Sequence, residues 1–155
     1  MLKVYICEDD KSQRDQYSKI IQDIIAIENL DFKVEMISED PRKVLEHVKN
    51  VKGQGSGIYF LDIELKVDDL NGIILAQEIR KYDPRGFVVF VTTHSEMTLL
   101  TFKYNVEAMD YIIKDITKDN IKNIKEKFRT VQANKISQSQ VLKMRKTITN
   151  SAKLW

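Results

Sequence analysis

Cysteine is almost missing from this chain. Cys7 is the single example in 155 residues, so no internal disulfide can form and no cysteine cluster can hold a metal. Histidine is nearly as scarce, and His47 falls on a helical stretch far from Cys7, which leaves no zinc-type ligand set. Long apolar runs are absent too, and none approaches the roughly 20 residues that cross a bilayer. The start, Met1-Leu2-Lys3-Val4-Tyr5-Ile6, runs into Cys7-Glu8-Asp9-Asp10 with no apolar signal core or cleavage site. These absences lead to the expectation of a cytoplasmic protein without a membrane segment. Cys7, on an apolar run, is expected to be a buried structural thiol.

What is present is the composition of a globular protein: 43% hydrophobic and 31% charged residues, in a length that suits one domain with a substantial core. The net charge of +2 conceals an asymmetry. Residues 1–113 hold 14 Lys/Arg against 20 Asp/Glu, and residues 114–155 hold 11 against 3. A basic tail attracts nucleic acid or an acidic surface, but it equally suits a solvated helix face and linker.

Apolar runs alternate with helical spacing along the chain, which predicts a parallel sheet with helices on both faces. Val4–Cys7 reads as a strand and Lys11–Ile27 as a helix with an isoleucine stripe. Phe32, Val34, Met36 and Ser38 alternate like a strand. Asp40-Pro41 then begins a helix that ends near Asn50, with an acid at the cap and proline in the first turn. Ile58–Asp62 is a buried strand, Glu64–Asn71 a polar loop and Gly72–Lys81 a helix. Asp83-Pro84-Arg85-Gly86 is a turn before the strand Phe87–Val91. A helix follows Ser95, Met109–Ile113 is the fifth strand, and Thr117–Asn134 is the last helix. The chain divides into a domain over residues 1–134 and a basic linker or tail over 135–155.

Four clusters fall at the carboxyl ends of separate predicted strands: Glu8-Asp9-Asp10, Asp62, Thr92-Thr93 and Lys114. In an open parallel α/β sheet, ligands bind in the crevice at those ends. Crowding carboxylates there is costly, on the order of 4 kcal/mol for two charges about 4 Å apart at an effective dielectric near 20. Oxygen ligands in such a cluster suit Mg²⁺. Asp62 can then act as a nucleophile on phosphorus, with Lys114 and the Thr92 hydroxyl at hand for the phosphoryl oxygens. Asp10 suits either helix capping or metal contact.

The stretches Ile6-Cys7-Glu8-Asp9-Asp10, Tyr59-Phe60-Leu61-Asp62-Ile63, Asn71-Gly72-Ile73, Phe90-Val91-Thr92-Thr93-His94-Ser95-Glu96 and Ala108-Met109-Asp110-Tyr111-Ile112-Ile113-Lys114 resemble the response-regulator receiver domain, the CheY-like phosphoacceptor module of two-component signalling. The resemblance covers residues 1 to about 134, and is strongest to the LytTR class and its accessory gene regulator A group of quorum-sensing transcription regulators. It implies a flavodoxin-like (CheY-like), doubly wound, five-stranded parallel sheet of order 2-1-3-4-5. It also implies that Asp62 is the phosphoacceptor, served by a sensor histidine kinase with Mg²⁺ (or Mn²⁺) as cofactor. Asp9 would hold the metal directly and Glu8 through water, with Asp62 and the backbone carbonyl of Glu64 completing the metal site. Thr92 and Lys114 would bind the phosphoryl group, with Thr92 and Tyr111 as the switch pair. Such a domain catalyses only its own phosphorylation and dephosphorylation and is not a conventional enzyme.

Two departures stand out. Asp115 follows Lys114 where the family usually has proline, and Glu64-Leu65-Lys66-Val67-Asp68-Asp69-Leu70 replaces the usual Met-Pro loop. Asp115 is therefore a candidate modulator, as is His94, two residues past the switch threonine. Met97, Leu99, Leu100, Phe102 and Tyr104 cannot all share one helix face. A homodimer or partner surface is thus expected from the helix after Ser95, the Met109–Ile113 strand edge and the last helix. A LytTR DNA-binding domain needs about a hundred further residues by the resemblance, so DNA would be reached only through an output domain absent from this chain. Val141–Thr149 could be the start of such a domain. The alternatives are a stand-alone receiver acting by protein–protein contact, and a Mg²⁺-dependent phosphohydrolase with Asp62 as nucleophile and Glu64 as general acid/base.

Overall fold

Five apolar segments line up side by side as parallel strands in the order β2-β1-β3-β4-β5. The computed structural model describes residues 2–53, 55–63, 71–92, 110–113 and 121–134. The strands are β1 (Leu2–Cys7), β2 (Phe32–Ser38), β3 (Gly57–Asp62), β4 (Phe87–Thr92) and β5 (Asp110–Ile113). Among the described residues three helices lie between them: α1 (Lys11–Ile27), α2 (Pro41–Asn50) and α3 (Gly72–Tyr82). Residues 121–134 are also helical. This is the α/β, doubly wound sheet expected, with its order. The helix expected after Ser95 and the segment 135–155 lie outside the described residues.

Residues on β1, β3 and β4 are buried on both faces, as helix-covered parallel strands should be. One face packs Val4, Ile6, Ile58, Phe60 and Val89 against Ile21 and Ile24 of α1 and Ile124, Phe128 and Val131 of the last helix. There the Phe128 ring meets Phe32 edge-on at 4.9 Å. The other face packs Cys7, Leu61, Val88 and Phe90 against Val44 and Val48 of α2 and Ile73, Leu75 and Ile79 of α3. Among the described residues no helix is long and apolar enough to cross a membrane.

Each described connecting helix begins at a side-chain cap. Asp10 accepts from Gln13 N at 2.9 Å, Asp40 from Arg42 N at 2.9 Å, and Asn71 from Ile73 N and Ile74 N, both at 3.0 Å. These caps satisfy backbone donors that the first helical turn leaves open. They also fix each helix start next to the end of the preceding strand or loop.

The edge strand β2 departs from its sequence pattern. Val34 pairs with Val4, but Tyr5 pairs with Met36, so Glu35 is an extra residue in the ladder. As a result Val34 packs on the first core face and Met36 on the second. The regular alternation of Phe32, Val34 and Met36 predicted one shared face. The inserted residue inverts it, because the strand's side-chain period is two.

Candidate functional site

The carboxyl ends of the two central strands carry the acids. β1 ends at Cys7, so Glu8 and Asp9 follow directly, and β3 ends on Asp62 itself. Glu8 and Asp62 are buried and Asp9 is half-buried. Carboxylate oxygens of the three residues all lie within 4.8 Å of one another. Asp10 is the cap of α1, one of its two sequence readings.

The turn that presents Glu8 and Asp9 is held by its backbone. Glu8 N donates to Ser38 O at the end of β2, at 3.1 Å. Arg14, one turn into α1, donates from Nη1 to the carbonyls of Glu8 at 3.0 Å and Asp9 at 3.3 Å. Arg14 N in turn donates to Asp10 O at 2.8 Å, the first bond of the helix. Spacing alone gave no signal for Arg14; only its place four residues after the capping Asp10 could have pointed to it.

Asp62 is placed from the other side by Gly72. Gly72 N donates to Ile63 O at 3.1 Å. A Cβ at position 72 would lie 2.0 Å from the carbonyl oxygen of Asp62, so only glycine lets α3 start this close to the strand end. Asn71-Gly72 was legible in the sequence as part of a motif, and this close approach is the physical reason for it.

Cys7 is buried beside the same acids, as expected. Its thiol pKa is pushed up, first by burial and then by the charges of Asp62 and Glu8. A small cavity beside the acids is lined by Ile6, Cys7, Glu8, Tyr17, Phe60, Asp62 and Val91.

Thr92 closes β4 and pairs with Ile113, while Tyr111 pairs with Phe90. The backbone thus puts Thr92 at the end of the strand next to β3 and Tyr111 one strand further out. Only their backbones are described. Glu64, His94, Lys114 and Asp115 lie outside the described residues.

Residues 4–126 match the family described as the response regulator receiver domain. Accessory gene regulator protein A of Staphylococcus aureus (strain N315) is 49% identical over 114 residues, which cover 74% of this chain and 47% of that protein. The chain therefore spans about half the length of the curated relatives it matches. The response regulatory domain of protein mrkE from Klebsiella pneumoniae superposes with a TM-score of 0.67 at 26% identity, covering 86% of this chain and 99% of that one. Response regulator protein TrrA from Thermotoga maritima, solved in complex with Mg²⁺ and BeF, gives a TM-score of 0.61 at 21% identity, covering 83% and 98%. That last likeness speaks to the fold. Sequence, topology and the grouping of acids at the strand ends agree: the chain belongs to the response regulator receiver family and is related within it to accessory gene regulator protein A.

Proposed function

We propose that this chain is a phosphorylation-dependent switch in which Asp62 accepts a phosphoryl group from a histidine kinase. The observation that carries this reading is the meeting of Glu8, Asp9 and Asp62 oxygens within 4.8 Å at the ends of β1 and β3. Oxygen ligands about 2.1 Å from Mg²⁺ lie at most about 4.2 Å apart. The cluster therefore fits Mg²⁺ or Mn²⁺ with slight closure. Glu8, Asp9, Asp62 and the Glu64 carbonyl are the groups that would hold the cation. When bound, it supplies positive charge against the phosphoryl oxygens.

An Asp62 carboxylate oxygen attacks phosphorus, the P–N bond to the kinase's phosphohistidine breaks, and the departing imidazole keeps the electron pair and takes up a proton. The product is an acyl phosphate on Asp62. In this reading Lys114 neutralises the added charge and Thr92 donates its hydroxyl to a phosphoryl oxygen. Movement of Thr92 and Tyr111 toward the phosphoryl group biases the region after β4 between two states. His94 tunes the lifetime of the acyl phosphate, and Asp115 competes for Lys114. Residues 1–134 form the receiver, and 135–155 lead toward a LytTR-type output domain that regulates transcription in the cytoplasm. The homodimer surface is assigned to the helix after Ser95, the β5 edge and the last helix.

The test is acyl-phosphate labelling with a small phosphodonor and Mg²⁺, read by intact mass on wild type and Asp62→Asn. A phosphoryl mass gain in the wild type that is lost in Asp62→Asn is the expected result. No gain at saturating Mg²⁺ would overturn the reading.

A further inference from the structure

The path of the turn that carries Glu8 and Asp9 sets how their carboxylates meet Asp62 at the end of β3. Arg14 is placed to fix that path. It is half-buried on the first turn of α1. Helical side chains lean toward the helix N-terminus, which brings its guanidinium back over the turn. A single nitrogen, Nη1, bridges two successive carbonyls, those of Glu8 and Asp9. Among the described residues its hydrogen bonds go to backbone oxygens and not to a carboxylate. The guanidinium thus fixes the path of the turn through its backbone oxygens.

We infer that Arg14 is a positioning residue for the cation site: by clamping the Glu8 and Asp9 carbonyls it presents both carboxylates in metal-binding geometry. This rests on the reading of Glu8, Asp9 and Asp62 as a divalent-cation site. It separates cleanly from a plain charge effect, because the two predict opposite signs. Coulomb's law says that removing a positive charge beside an acidic site tightens its hold on a divalent cation. Loss of the clamp loosens it, since groups that orient metal ligands are commonly worth ten- to a hundredfold in affinity.

The experiment is direct Mn²⁺ titration of the full chain by electron paramagnetic resonance, alongside acyl-phosphate labelling as a function of Mg²⁺. Wild type is compared with Arg14→Ala, Arg14→Lys and Lys11→Ala. Lys11 sits on the same helical turn in an exposed pair with Asp15, and so controls for charge alone. Arg14→Ala is expected to weaken Mn²⁺ binding roughly tenfold. It should also raise the half-saturating Mg²⁺ for labelling while leaving the rate at saturating Mg²⁺ within about twofold. Arg14→Lys, whose ammonium can still donate to a carbonyl, recovers part of the loss and covers the case in which Arg14→Ala does not fold. Lys11→Ala leaves binding unchanged or slightly tighter.

If Arg14→Ala binds Mn²⁺ as well as wild type, or tighter, the clamp is wrong while the cation site stands. If Arg14→Lys fails to recover affinity over Arg14→Ala, the carbonyl bridge is wrong. If wild type itself binds no Mn²⁺, the cation site falls and the role of Arg14 falls with it.

Discussion

The two ends of the sheet both bury acid, and they handle it in opposite ways. At the amino end, Asp83 follows α3 and is buried. Its Oδ2 accepts from Gly57 N at 2.9 Å and from the Tyr59 hydroxyl at 2.7 Å. Neutral donors surround one carboxylate, and the Tyr59 ring stacks on Tyr5 at 4.8 Å. Burial first, then the charge of Asp83, raises the Tyr59 phenol above its ordinary range; burial pushes Tyr5 up to about 12. At the carboxyl end, three carboxylates face one another across the tops of β1 and β3. The first arrangement is complete as folded, and its acid serves the structure. The second groups three carboxylates, an all-oxygen donor set of the kind a hard divalent cation takes. Burial of an acid is therefore not in itself a functional signal; the chemistry of what faces it is.

Substitution should break this contrast by sign. Asp83→Ala strands a buried amide and a buried hydroxyl, each of which needs an acceptor. It should lower stability by about 4 kcal/mol, seen as a fall in the denaturant midpoint, while labelling of Asp62 persists at temperatures where the variant is folded. Gly72→Ala acts at the other end by overpacking, since its new methyl would meet the Asp62 carbonyl. A loss of about 3 kcal/mol should come with reduced labelling, because the displaced α3 start drags the acceptor out of place. Asp9→Asn removes one of the three facing charges. It should raise the stability of the metal-free chain by about 1 kcal/mol, while abolishing the stabilisation that added Mg²⁺ gives the wild type. Thermal melts with and without Mg²⁺ check this last pair of outcomes. Loss of an acid thus destabilises one end and stabilises the other.

Much of this contrast could be read from residues in order. The strands were visible as bounded apolar runs, and α1 and α2 as helices with caps, because Lys11–Ile27 and Asp40-Pro41 carry local signals. The meeting of Glu8, Asp9 and Asp62 followed from topology: parallel strands put their carboxyl ends together. What escaped were contacts that depend on register and side-chain reach. Asp83 read as a turn residue, and it does accept from Gly86 N through its backbone. Its side chain reaches across 26 positions to Gly57, which no local pattern reveals. The extra residue Glu35 escaped because a bulge leaves the alternation on paper intact. Arg14 escaped because its partners are backbone oxygens, which carry no sequence identity.

Cys7 gives the fold a consequence of another kind. Its sulfur lies at the carboxyl end of the interior strand β1, where burial and the neighbouring acids disfavour the thiolate that alkylating reagents need. Alkylation of the thiol is expected to be slow in the folded chain and to speed up when β1 parts from its neighbours. The single cysteine is therefore a built-in clock for opening of the sheet. The rate at which it is alkylated counts excursions of β1 next to the acids, without any added probe.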